Sequence, residues 1–190
     1  MVIFIFFIIH WYASFFFQSF FHHRYAAHRH FNMSANFEKF FYFCCFIIHG
    51  SSYISPYAYG IMHRLHHVHT DTEDDPHSPS YHPGFFGIML QTRNSYHNIY
   101  IGKTIIDAKF KKDLPQWSAF DKIAHNWLTR VAWILIYTAF YIAFASKWWM
   151  YLFLTLAIPM NTFQCTIINL WDHTFGYVIY PMQTTSKNLF

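Results

Sequence analysis

The residues best suited to chemistry in this chain are histidines, and several lie close together between His63 and Pro79. This stretch, HRLHHVHTDTEDDPHSP, contains five histidines and four acidic residues. Imidazole nitrogens are good ligands for zinc, iron, copper and nickel. Because side chains three and four apart share one face of a helix, His63, His66 and His67 are expected to point together. The stretch is therefore a candidate metal-binding segment.

Two other stretches carry further candidate ligands. HHRYAAHRH contains His23 and His28, which are five residues apart and so about 140° apart around an ideal α-helix. They converge only if another segment comes between them or if the helix end is irregular. NLWDH contains Asn169 and His173, four residues apart. A zinc site takes three or four ligands, so the three stretches together predict a two-metal centre with six histidine ligands: His23, His28, His63, His66, His67 and His173.

The remaining histidines have a simpler interpretation. Histidines at a membrane interface can be hydrogen-bonded amphipathic residues with no metal, and this alternative applies to all of them. We expect four to be polar or interfacial groups: His10, His49, His97 and His125. Five others are expected to support the ligands or to add solubility: His22, His30, His69, His77 and His82. The acids Asp71, Asp74 and Asp75 either orient imidazoles through their second nitrogen or belong to a solvated loop.

The elements that must position these residues are predicted to be membrane helices. Apolar residues make up 54% of the 190 and charged residues only 12%. The opening MVIFIFFIIHWYASFFFQSFF has no charge, and roughly twenty apolar residues span a bilayer as a helix. It lacks the basic n-region and the cleavage site of a signal peptide. Further crossings are expected at about 128–145 and 148–169, the latter with a kink at Pro159, which gives three with the first at about 2–21.

The segment at about 37–62 is expected to be an interfacial helix, because its apolar run is too short to cross. If it did cross, the histidines on its two sides could not share a site. The cytosolic section is then about 63–126. Twelve of the thirteen basic residues fall on one side and only Lys147 on the other, which places the histidines in the cytoplasm. The prediction is one all-α integral membrane domain, 1–190, with about three transmembrane helices and a histidine-lined cytosolic cap.

The charge distribution does not favour a nucleic-acid-binding protein, and the cysteines do not favour a disulfide-stabilised one. The net charge of +4 is spread along the chain, without the basic stripe of a nucleic-acid-binding protein. Cys44, Cys45 and Cys165 lie in apolar surroundings, and an adjacent pair is unsuited to a disulfide. They are expected to be small buried apolar residues.

These motifs resemble those of one enzyme family. HRYAAH (23–28), HRLHH (63–67) and DTEDDPHSP (71–79) resemble the histidine boxes of membrane fatty acid desaturases of the acyl-CoA desaturase type. NLWDHTFGY (169–177) is similar to the asparagine–histidine pair after the last membrane helix of that family. TTSKNLF at the end is similar to the run-in to its third box. The resemblance extends over nearly the whole chain.

The resemblance implies a non-haem di-iron centre that uses O₂ and two electrons to introduce a cis double bond into a long acyl chain. The substrate would be an acyl-CoA or another acyl thioester, or an acyl lipid, whose tail enters from the bilayer. The six histidines named above would ligate iron, Asn169 would hold a metal-bound water, and Arg64 would lie near the acyl headgroup. The sequence has no cytochrome b5, flavin or iron–sulfur motif, so a separate donor of the ferredoxin or cytochrome b5 type would supply electrons.

Three features depart from the family pattern. A third box of the HxxHH type is expected beyond Phe190, so the 190 residues alone are expected to be inactive. The usual first membrane helix has no counterpart, as in a short bacterial form. Asp172 stands where the family has a small or apolar residue, and it is either a partner of a ligand or a solvated acid. Two alternatives remain open, a membrane di-iron fatty acid hydroxylase and a catalytically inactive fragment.

Overall fold

The structure is a computed structural model that describes residues 1–78, 81 and 84–174, without the side chains of Asp172 and Thr174. Pro79, His82 and residues 175–190, which include TTSKNLF, lie outside the described residues. All regular elements within the described ranges are helices. The α-helices are α1 Val2–Phe17, α2 Ala35–His49, α3 Pro56–His69, α4 Phe85–Tyr100, α5 Ala108–Lys111, α6 Ser118–Ala124, α7 Trp127–Phe144, α8 Tyr151–Ala157 and α9 Met160–Thr174.

Two helical segments are long and apolar enough to cross a membrane. They are Val2–Ala27, in which a π-helix (Gln18–Ala27) continues α1, and Trp127–Phe144. At 1.5 Å per residue, the 16 residues of α1 extend about 24 Å, and the ten residues of the π-helix lengthen the segment towards the ~30 Å of a hydrocarbon core. Trp148–Ala157 and Met160–Trp171 qualify only as a pair bent by 72°. The protein therefore has the two or three apolar helices of a membrane protein, as predicted.

The bend in the last pair lies at Pro159, where the kink is expected. Proline removes one backbone donor and excludes a continuous helix. The turn Gly50–Ser52 satisfies the groups around the break: the Ser51 hydroxyl donates to the Ile158 carbonyl (2.7 Å), and the Asn161 N–H donates to the Ser52 hydroxyl (3.1 Å). Broken helices persist at membrane depth when neighbouring segments supply such partners.

The segment expected to be one interfacial helix, about 37–62, forms two helices, α2 and α3, separated by the turn at Gly50–Ser52. Gly50 has φ +50°, a backbone conformation that favours glycine, and the turn after it ends α2. The next helix, α3, begins at Pro56, with Ser55 as N-cap accepting the Ala58 N–H (3.4 Å). The break lets α3 carry its histidines towards the π-helix instead of continuing along α2.

A buried polar network fixes the linker between α2 and α3. The Asp121 carboxylate accepts hydrogen bonds from the Tyr53 and Ser55 hydroxyls, both at 2.7 Å. Arg130 donates to the carbonyls of Ser51 (2.8 Å) and Tyr53 (2.7 Å). These bonds join α6 and the start of α7 to the residues just before α3. They set the position from which the histidines of α3 project.

Replacing Asp121 by alanine is expected to destabilise the fold. Two buried hydroxyls would lose a charged acceptor, at a cost of about 3 kcal/mol, and α3 would lose its anchor. Thermal unfolding in detergent measures the change. Asp107→Ala is the control, because the Asp107 side chain is 72% exposed. Equal unfolding midpoints for the two variants would contradict the role assigned to the network.

Candidate metal centre

The π-helix solves the geometric problem posed by His23 and His28. In an α-helix, residues five apart face different directions, whereas a π-turn joins residues five apart by a hydrogen bond and brings them to one face. Here the His28 N–H donates to the His23 carbonyl (3.1 Å). Their imidazole Nε2 atoms lie 3.1 Å apart. The first histidine stretch therefore presents both rings to one point.

Helix α3 brings two more rings to the same point. Gly60 makes the approach possible, since a Cβ there would lie 2.6 Å from the Leu114 side chain and 3.4 Å from the Ala26 carbonyl oxygen. His63 Nε2 lies 3.0 Å from the Nε2 atoms of both His28 and His67. We call these four residues the first histidine group: His23, His28, His63 and His67.

Hydrogen bonds alone do not account for the first histidine group. Each imidazole nitrogen has a single in-plane site, occupied by either a proton or a lone pair. Four such nitrogens make at most two N–H···N bonds, yet three Nε2–Nε2 contacts of 3.0–3.1 Å join them. Two nitrogens bound at right angles to one ion, each about 2.1 Å from it, are ~3.0 Å apart. The spacing therefore fits four lone pairs converging on a metal.

The protonation state of the group also suits a metal. Burial first, and then the neighbouring imidazoles, lower the pKa of His63 well below its usual value. Burial likewise lowers the pKa of His28 and of His67, the exposed member of the group. Neutral imidazole is the form that ligates a metal.

A second group of donors adjoins the first. It consists of His66, Asp75 and His77, one atom of each lying within 4.8 Å of the others. The Asp75 carboxylate is 2% exposed and lies 2.9 Å from His66 Nδ1. A ring held this way by a carboxylate directs its Nε2 towards a metal. His77 Nε2 is buried without a hydrogen-bond partner, which is the condition of a ligand atom.

His173 comes from α9 to complete this second group. Its ring is 5.6 Å from that of His66, and its Nδ1 lies 3.5 Å from the Asp71 carboxylate. Asp71 and Asp75 thus lie beside imidazole Nδ1 atoms, where they can orient the rings of His173 and His66. Asp74 is exposed. The side chain of Asp172, whose role was left open, lies outside the described residues.

Two assigned residues make contacts that differ from those expected. Asn169, predicted to hold a metal-bound water, donates its amide to the His77 carbonyl (2.6 Å) and so braces a residue of the second group. Arg64, predicted to lie near an acyl headgroup, donates to the carbonyls of Ala27 (2.8 Å) and Lys112 (2.6 Å). It ties α3 to the end of the π-helix, next to His28.

Sequence reasoning missed three histidines of this region. His77 was expected only to support the ligands, and its place two residues after Asp75 was the available signal. His97 and His125, expected to be scattered polar residues, line the same cavity as the two groups. The cavity measures about 710 Å³, which is within the ~300–1,000 Å³ usual for ligand pockets. Its apolar wall includes Ile54, Tyr59, Met62 and Ile168.

Metal-free protein is expected to lose stability on acidification. Burial, followed by the charge of Arg130, lowers the pKa of His125 to about 3, and burial also lowers that of His77. An unfolded histidine titrates near ~6.5. The folded state then binds fewer protons than the unfolded state, so this stabilisation is present above about pH 6.5 and is lost as the pH falls towards 3.

Thermal unfolding with a chelator, from about pH 7 to about pH 4, tests this expectation. The unfolding midpoint should fall steadily, and His125→Gln should make the fall shallower. A midpoint independent of pH would show that these rings are not held neutral by the fold.

Comparison with known proteins identifies no relative. The chain matches no protein-family model, and no curated protein or solved structure is similar enough to count as a match. The functional interpretation therefore depends on the residues and their geometry.

Proposed function

We propose that this chain is a membrane fatty acid desaturase that uses O₂ and two electrons at a di-iron centre. The observation that carries the proposal is the convergence of the four Nε2 atoms of the first histidine group beside a second, carboxylate-supported group. Two adjacent nitrogen-rich donor sets suit a pair of iron ions. Histidines of both sets line one cavity in a chain with membrane-length helices.

The proposed iron ligands divide between the two groups. His23, His28, His63 and His67 would hold one ion, and His66, His77 and His173 the other. When bound, the ions would use O₂ to supply the oxidising power that removes hydrogen from an unactivated methylene pair, which no side chain can do. Asp71 and Asp75 would orient the second set of imidazoles.

The rest of the chain would position the acyl tail. The apolar part of the cavity, with Ile54, Tyr59 and Met62, would hold the tail against the histidines and exclude water. We propose an acyl-CoA or another acyl lipid as substrate, and a separate electron carrier of the ferredoxin or cytochrome b5 type. With the predicted crossings, twelve of the thirteen basic residues lie on the same side of the membrane as the histidines, which supports a cytoplasmic position for the centre.

Fatty acid analysis tests the proposal in cells that express a version of the chain continuing into the expected HxxHH segment, with the 190-residue chain alone as the inactive comparison. We expect a new cis-unsaturated acyl chain that forms only in air. His67→Ala should abolish it, and His69→Ala, a change in the same helix outside both groups, should not. A hydroxylated product would instead show that the protein is a fatty acid hydroxylase, the alternative that uses the same site. A folded, iron-loaded protein that yields neither product would contradict both.

A further inference from the structure

A third set of metal-capable side chains lies apart from the two groups described above. It consists of His22 on the π-helix and Cys45 and His49 on α2, with one donor atom of each within 4.8 Å of the others. All three residues are fully buried, at 0% exposure. His22 lies within the π-helix, on a different face from its neighbour His23. This set therefore belongs to neither histidine group.

Backbone carbonyls orient the rings of both histidines. His22 Nε2 lies 3.1 Å from the Ile54 carbonyl oxygen, and His49 Nε2 lies 3.3 Å from that of Ser14. A carbonyl only accepts, so His49 Nε2 carries the ring proton and His49 Nδ1 carries a lone pair. His22 approaches two carbonyls, those of Ile54 and Phe17, and its Nδ1 offers a lone pair in the tautomer that donates from Nε2 to Ile54. Metal-binding histidines are commonly oriented in this way, by a carbonyl on the far nitrogen.

Both lone pairs lack a good protein donor. His22 Nδ1 is 4.0 Å from the Cys45 sulfur, which is long for a thiol hydrogen bond. His49 Nδ1 is buried with no hydrogen-bond partner. Buried nitrogens in folded proteins are nearly always paired. The unpaired acceptor of His49, beside a thiol and a second imidazole nitrogen, therefore favours a bound cation at this place.

We propose that His22 Nδ1, His49 Nδ1 and Cys45 Sγ form a separate site for one monovalent copper ion. A thiolate with two imidazoles in a trigonal arrangement is a donor set that copper adopts. The thiol proton is released to solvent as the ion binds. The single charge of the ion is then balanced by the thiolate, whereas a divalent ion would leave a net charge in a fully buried place.

The observed spacing is close to that of a filled site. Nitrogen and sulfur bound at about 2.0 and 2.3 Å to one trigonal ion lie ~3.7 Å apart. The 4.0 Å separation of His22 Nδ1 and Cys45 Sγ needs to shorten only slightly. The bound ion would link α2 to the π-helix, which contains His23 and ends at His28.

X-ray absorption at the copper edge tests the proposal on the whole purified chain in detergent, loaded first with Fe(II) to fill the two histidine groups, then with one equivalent of Cu(I), and desalted. We expect one copper per chain with one sulfur neighbour at about 2.2–2.3 Å. Cys45→Ser should abolish the sulfur signal, and His49→Gln should weaken copper binding at least tenfold. Cys44→Ser, which changes the adjacent and partly exposed thiol, should leave both unchanged.

Three outcomes would overturn the copper site. They are a wild-type copper shell of nitrogen alone, an equal effect of the two cysteine changes, and retention of zinc but not copper by the three residues. The proposed iron ligands include no sulfur, so none of these outcomes affects the desaturase proposal. Conversely, loss of desaturation would leave the sulfur signal in place.

Discussion

Replacing His63 by alanine is expected to remove the metal from the first histidine group and to abolish product. His63 Nε2 contacts the Nε2 atoms of both His28 and His67 at 3.0 Å, so it is the central member. Loss of an outer partner of a ligand already costs ~10–100-fold in metal affinity. Loss of the central ligand is expected to cost more than that, because the remaining rings no longer surround one point.

The matched control is His69→Ala. His69 lies in the same helix, α3, and outside both groups. Iron titration and fatty acid analysis should separate the two variants clearly, with the wild-type result retained only in the control. Equal iron binding by both variants would mean that the four nitrogens do not share an ion.

Replacing Asp75 by asparagine is expected to empty the second group selectively. Its Oδ1 pairs with His66 Nδ1 (2.9 Å) and accepts the His77 N–H (3.0 Å), and its Oδ2 accepts the Asp71 N–H (2.9 Å). Asparagine has only one oxygen, so in either orientation its amide NH₂ would face a donor. His66 and the loop that carries His77 would lose their alignment.

The expected result is a fall from about two bound irons to about one, with affinity at the second group lowered ~10–100-fold. Asp74→Asn is the control, since Asp74 is exposed and lies immediately before the buried residues Asp75 and Pro76. A proportional loss of both irons would show that Asp75 supports the whole fold instead of one group. An unchanged count would show that it supports neither.

Local sequence patterns predicted the long apolar helices and placed His63 and His67 on one face of α3. The uncharged opening of the chain corresponds to Val2–Ala27, and the run at 128–145 corresponds to Trp127–Phe144. Spacing by four correctly joined His63 to His67. It did not separate His66, which turns towards Asp75 and His77. Adjacent positions on a helix differ by about 100°, and which neighbour each ring meets depends on tertiary structure.

Other features could not be read from local patterns. The π-winding that joins His23 and His28 is an irregularity that side-chain periodicity does not reveal. The sequence does not show that His49 Nδ1 and His77 Nε2 are buried without a hydrogen-bond partner, because this depends on how neighbouring segments pack around them. The division of 37–62 into two helices has local signals in Gly50, Ser55 and Pro56, but the linker between the helices is held by Asp121 and Arg130, which lie far along the chain.

The most direct test of the account is a crystal structure of the protein loaded with Fe(II), with anomalous scattering measured at the iron edge. Two iron peaks are predicted, one enclosed by the first histidine group and one beside His66, His77 and His173. A single peak elsewhere, or no peak in a crystal whose histidines are ordered, would contradict the di-iron centre.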